Sequence, residues 1–164
     1  MIQRKQTLWL TLISIICFSS IYLNIPYRDV DGKIDAKVIE DAMVHIGFSH
    51  TSIDIIGKER TKTESNALLK YSLILLGVLS LAAIALHKNR TKQLLIGKIH
   101  YALIALIMFL MYYYGWSKRY VDLEPDGQLL ISLLFPFIMA WANYKAISGI
   151  KKDENLVKSY DRIR

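Results

Sequence analysis

The chain has 164 residues, 53% of them hydrophobic, with a mean hydropathy of +0.27 and a formal net charge of +7. A chain this short and apolar leaves little outside a membrane beyond one loop and two tails, so several separate domains are excluded and one membrane domain over residues 1–164 is expected. In such a chain the placement of charge matters more than its sum, and no nucleic-acid partner is expected. Four apolar stretches, 7–23, 67–86, 94–116 and 129–147, predict four spanning helices. Each is within or near the roughly 20 residues that a helix needs to cross a bilayer core about 30 Å thick. The predicted fold class is an all-α, four-transmembrane-helix bundle with left-handed or mixed packing and a small extracytoplasmic cap.

The first stretch follows Arg4 and Lys5, as a signal peptide would. No clean small-x-small site closes it. Phe18-Ser19-Ser20 is the nearest approximation, and the large residues Ile21, Tyr22 and Leu23 follow at once, so a retained anchor is expected. Cys17 as a lipidation site is disfavoured by Ile16, which stands where a small residue belongs. As the single cysteine it cannot form an intramolecular disulfide, and it reads as a small hydrophobe.

The loop 24–66 is too short to bury a core of its own. Pro26 and Asp31-Gly32 are turn signals, and Met43 to Phe48 followed by Thr51 to Ile56 predicts a short β-hairpin about Ser49-His50. A short helix over Ile34 to Met43 is the alternative. His45, His50 and Asp54 raise the question of a metal, but they lack the convergent spacing a metal site needs and read as solvated loop residues. No metal and no cofactor is expected.

Within the spans no charge sits at a centre. Lys70 lies one turn into the second span from outside, and Lys98 and His100 one to two turns into the third from inside, where long cationic side chains snorkel to the headgroups. The competing reading makes Lys70, Lys98, His100 and Asn143 the polar lining of a ligand or ion path. No Asp or Glu lies within a span to pair with these cations, which argues against carboxylate-based proton coupling and against an aspartate or zinc protease. Ser14, Ser19, Ser20, Ser72, Ser80 and Ser132, with Gly77, Ala82, Ala83 and Ala85, form small or hydroxyl faces for close helix packing. A hydroxyl nucleophile needs a base within hydrogen-bond reach, and neither His87 nor His100 shares a recognisable motif with these serines. No catalytic residue is assigned and no enzyme is expected. Pro136 is expected to bend the fourth helix in mid-span, and Asn143 to bond a neighbouring helix.

Charge placement sets the orientation. Of 14 acidic residues, 11 fall within 24–66 or 117–127, whereas Lys and Arg cluster at Arg4 and Lys5, in loop 88–93 and near Lys98, and from Lys145 onward. Short basic segments stay cytoplasmic, so both termini and loop 88–93 are placed inside and loops 24–66 and 117–128 outside. The six Lys or Arg of loop 24–66 oppose this, but long loops translocate with less regard to charge. Tyr22, Tyr27, Tyr112, Tyr113, Tyr114 and Trp116 would then form an outer aromatic belt.

After Ile150 the composition turns charged. Leu156, Tyr160 and Ile163 recur at helical spacing with Val157 beside them, and Glu154 to Lys158 is a favourable i,i+4 pair, so the tail predicts an amphipathic helix that Gly149 separates from the fourth span. It reads either as an anchor on anionic headgroups or as a docking helix. The proposed docking residues are Lys88, Arg90, Lys151, Lys152, Asp153, Glu154, Leu156, Tyr160, Asp161, Arg162, Ile163 and Arg164.

Several of these residues carry a resemblance. Met1-Ile2-Gln3-Arg4, Lys88-Asn89-Arg90 with Gln93, Pro136, Asn143 and the ending Ile150-Lys151-Lys152-Asp153-Glu154 through Leu156-Val157, Ser159 and Asp161-Arg162-Ile163-Arg164 resemble a family of four-span proteins of Bacteroidota known as a domain of unknown function. Tyr160 departs from it, where a small residue is expected. The resemblance implies a Gram-negative inner membrane and directs attention to the cytoplasmic face. The layout of four helices with a larger first outer loop is also similar to that of claudin-like proteins, whose first-loop Trp and paired Cys are absent here. Fold-level likeness transfers no activity. The expected role is a non-enzymatic accessory or scaffolding subunit, in contact with the bilayer and with another membrane or cytoplasmic protein, homo-oligomers being compatible. The alternative is a small transporter or lipid-binding protein.

Overall fold

The computed structural model describes residues 3–34, 40–55, 61–87, 89–118 and 122–161. Helix α1 (Gln3–Tyr22) leads into strands β1 (Pro26–Ile34), β2 (Glu40–Gly47), β3 (His50–Ile55) and β4 (Thr61–Ser65). Then come α2 (Ala67–Ala85), α3 (Arg90–Tyr112), a π-helical turn (Tyr113–Ser117), β5 (Asp122–Leu129), a 3₁₀ turn (Ile131–Leu134) and α4 (Phe135–Asp161). The five strands form one antiparallel sheet in the order β4-β3-β2-β1-β5.

The all-α expectation is therefore wrong. The hairpin expected about Ser49-His50 is present as β2 and β3, but it is the middle of a larger sheet, and β2 occupies residues assigned to the alternative helix. The remainder of that segment, residues 35–39, lies outside the described residues. Alternation explains the sheet. Arg28 and Val30, Ala42, Val44 and Ile46, and Thr51 and Ile53 are buried, while the residues between them are half-buried or exposed. A sheet with one packed and one wet face produces this period of two. The edge strands, Thr61–Ser65 and Asp122–Leu129, are held by backbone pairing to β3 and β1. Lys62 and Pro125 on these edges are the residue types that discourage further pairing.

Below the sheet, α1 packs on α2 and α4, and α3 packs on the same two helices. Close approach is set by small residues. A Cβ on Gly77 would lie 3.0 Å from Phe18 of α1, and one on Gly97 would lie 2.7 Å from Ile147 of α4. The serines belong to this packing: Ser14, Ser20, Ser72 and Ser80 donate to carbonyls of their own helices, and Ser14 also reaches Gly77 O across the α1–α2 contact at 3.3 Å. Large apolar side chains point outward on every helix, among them Leu8, Ile15, Leu68, Leu75, Leu95, Phe109, Phe137 and Trp141. Among the described residues, three helical segments, Ala67–Ala85, Arg90–Ser117 and Ile131–Leu156, are long and apolar enough to cross a membrane.

Two expectations about α4 are also corrected. Pro136 is its second residue, where the missing N–H would have no helical partner anyway, so it starts the helix and does not bend it in mid-span. The tail is not a separate helix, because α4 runs unbroken past Gly149 to Asp161.

Candidate functional site

Three polar centres follow the long axis of the bundle. At the end of the bundle remote from the sheet, Gln6 of α1 donates to the Asp153 carboxylate of α4, and Arg90 of α3 donates to the Asp153 carbonyl. Gln93 donates to Ala83 O of α2 at 2.7 Å, so all four helices are joined at one level. Gln6, Gln93 and Asp153 are buried there. The cavity they enclose with Thr7, His87 and Arg90 measures about 20 Å³, room for one water molecule.

This geometry redistributes the predicted docking residues. Asp153 is internal and Arg90 is tied to it, while Lys151, Lys152 and Leu156 are exposed and Glu154 is half-buried. Tyr160 and Asp161 fall in the last turn of α4, and Lys88, Arg162, Ile163 and Arg164 lie outside the described residues.

In the middle of the bundle the predicted intramembrane residues separate into two groups. His100 and Asn143 are fully buried together, with His100 Nδ1 3.1 Å from Asn143 Oδ1 and Asn143 Nδ2 donating to Gly97 O at 2.9 Å. Because the Gly97 carbonyl can only accept, the amide orientation is fixed, and its oxygen accepts from His100 Nδ1–H. His100 Nε2 is left as a buried acceptor without a partner. Lys98 is exposed and Lys70 half-buried, and neither joins this pair.

At the opposite end the sheet is joined to α3 through a helix defect. The π-helical turn closes with Lys118 N to Tyr113 O at 2.8 Å, and nearby carbonyls turn toward the sheet. Tyr27 Oη donates to Met111 O at 3.2 Å, and Arg28 Nη1 to Gly115 O at 2.5 Å. The Arg28 guanidinium also lies 4.5 Å from the Trp116 ring centre. Burial pushes Arg28 below its ordinary pKa. Tyr27 is enclosed beside Phe48, which stacks on Phe135 of α4, so it is a core residue and not part of an aromatic belt; Tyr22, Tyr112, Tyr113 and Trp116 are the exposed rings.

On the wet face of the sheet, His45 Nδ1 is 2.8 Å from Asp29 and its Nε2 is 3.7 Å from Asp54. Asp29 and His45 are paired in the β1–β2 register, a contact that a reading of one loop in sequence order does not reveal. A cleft of about 150 Å³ runs beside them between Asp31, Met43 and Gln128. No group of described His, Cys, Asp and Glu residues has the geometry to hold a metal ion, and His50 does not join His45. At the sheet edge, Glu64 binds Lys118 at 3.0 Å, and this hydrogen bond is the main cause holding its carboxyl below the usual value.

The residues that sequence reasoning passed over are Gln6, Asn24, Arg28 and Asn66. Asn24 adopts a positive φ of 41° and its side chain accepts from the backbone of Ser49 and His50. Asn66 donates to Gly47 O at 2.8 Å from a fully buried position. For Asn24 and Asn66 a signal existed, a polar residue at a span boundary, but nothing in the sequence names its partner. No curated protein matches the chain. A family model matches residues 2–163, and the chain therefore belongs to the family described as a domain of unknown function, DUF4293.

Proposed function

We propose that the protein is a four-span inner-membrane protein of a Gram-negative cell, of the kind found in Bacteroidota, that serves as a non-enzymatic accessory subunit. In this reading α1 is the fourth span, both termini are cytoplasmic and the sheet is extracytoplasmic. The observation that carries it is the distribution of polar groups: Asn143 is spent on Gly97 and His100, Asp153 on Gln6, and Lys98 faces outward. A bundle in which Asn143 and Asp153 are used for internal ties favours a scaffold over a carrier. The exposed part of α4, with Lys151, Lys152 and Leu156, is then the docking surface for a membrane or cytoplasmic protein partner.

The test leaves the internal tie intact. Truncation at Gly149 would remove Asp153 and loosen all four helices, so Lys151→Glu with Lys152→Glu is the better variant. Wild type and variant are purified at native expression level in mild detergent and their melting temperatures compared. A defined partner that copurifies with the wild type and is lost from an equally stable variant is the expected result. Equal recovery of partners by both would overturn the docking surface.

A further inference from the structure

Arg28 is 7% exposed, and among the described residues no carboxylate forms an ion pair with it. Its Nη1 satisfies Gly115 O, and its face is covered by Trp116. These contacts supply a carbonyl dipole near a helix end and a ring quadrupole, each only a fraction of a countercharge. The buried Nε has no hydrogen-bond partner. It lies beside Gly127 of the edge strand β5, where a Cβ would come within 2.9 Å of it, so the absence of a side chain there preserves the room around the guanidinium. A buried charge without a full partner is costly, and a planar guanidinium is the group best suited to a two-pronged phosphate contact.

The surroundings give the ligand a second property. Leu129, which pairs with Arg28 in the β1–β5 register, is 58% exposed, and Ile131 is 82% exposed. Trp116, which covers Arg28, stacks on Tyr112 at the end of α3, and both rings are exposed. A buried cation bordered by exposed apolar surface and by interfacial aromatic rings matches an amphiphile with an anionic head. We propose that Arg28, in its cradle beneath β1 and β5, binds the phosphate of an outer-leaflet phospholipid and so pins the sheet to the membrane surface. This rests on the membrane orientation proposed above.

The test uses the purified full-length chain in a neutral detergent and native mass spectrometry. The ligands are phosphatidylglycerol, diacylglycerol with the same acyl chains, and inorganic phosphate as competitor. Phosphatidylglycerol is expected to be retained about tenfold better than diacylglycerol, and Arg28→Gln to lose that preference. Lys92→Gln, which removes the same charge from an exposed position of α3, is expected to keep it. If Arg28→Gln does not fold, Arg28→Lys decides: a lost preference supports the fork, and undiminished retention overturns it. Equal retention of the two lipids by the wild type overturns phosphate recognition whatever the variants do. Displacement of the lipid by inorganic phosphate at equal concentration overturns the lipid as the source. A chain found in the soluble fraction of lysed cells overturns the membrane reading itself, an outcome separate from any result in detergent.

Discussion

Asn143 shows how a single polar side chain holds two helices in register. Its amide accepts from His100 and donates to Gly97 O, so both of its functions are used inside α3 and α4. Hydrogen bonds between membrane helices are worth about 0.6 kcal/mol on average and rarely above 1.7. Asn143→Ala removes two of them and leaves a buried imidazole N–H and a carbonyl unpaired, so a loss of about 1–2 kcal/mol is expected. Denaturant titration in mixed micelles measures it, and a variant as stable as wild type would show that water replaces the amide. The expected bond from Asn143 to a neighbouring helix was readable, because an amide in an apolar run must find a partner. Its pairing with His100 was not, since Lys98, two residues from His100, looked equally placed and only the helix rotation separates them. Asp153 was misread for the same reason: on a charged tail it looks solvated, and only the packing of α1 against α4 puts Gln6 over it.

The elements differ in how far local sequence determines them. Helices α2 and α3 follow from long apolar runs, and β2 and β3 from alternation. Strand β1 carries Arg28, Asp29 and Asp31, and its Pro26 and Asp31-Gly32 are turn signals in the sequence. Its outward aspartates and inward Arg28 become intelligible only when β5 and β2 lie on either side. Strand β4 depends on its ties, and the Glu64–Lys118 pair links it to the segment after α3. Because the folded carboxyl is held below its ordinary value, the stabilisation is present above the unfolded value, about 4.3, and is lost as pH falls through the lowered folded value. Both side chains are partly exposed, so the contribution is about 0.2–1 kcal/mol. Glu64→Gln is expected to be less stable than wild type at pH 7, with a gap that closes as the pH is lowered from 5 toward 2. Thermal melts across that range check it; a gap that does not change with pH would mean the ion pair contributes nothing.

The molecule as a whole is built around junctions, with large apolar side chains turned outward and polar ties within and at both ends of the bundle. The end remote from the sheet is closed by Gln6, Arg90 and Asp153, and the sheet end by Arg28, Tyr27 and the π-helical turn. Leu75, Phe109 and Phe137 on the segments long and apolar enough to cross a membrane, and Leu8 and Ile15 on α1, form an outward apolar band of the kind that marks a membrane-facing surface. Helix α1 has a weaker apolar signal because Gln3, Arg4, Lys5, Gln6 and Thr7 occupy its first turns, yet its exposed face is as apolar as those of its neighbours. If α1 spans, its first turn and the sheet must lie on opposite sides of the membrane. Single cysteines introduced in a Cys17→Ala background test this, at Lys5 on α1 and at Thr63 on strand β4, both exposed positions. A membrane-impermeant maleimide added to intact spheroplasts is expected to label Thr63→Cys and to spare Lys5→Cys until the membrane is permeabilised. Labelling of both in intact spheroplasts would put the sheet and the start of α1 on one side, make α1 a peripheral helix, and separate Gln6 from Asp153.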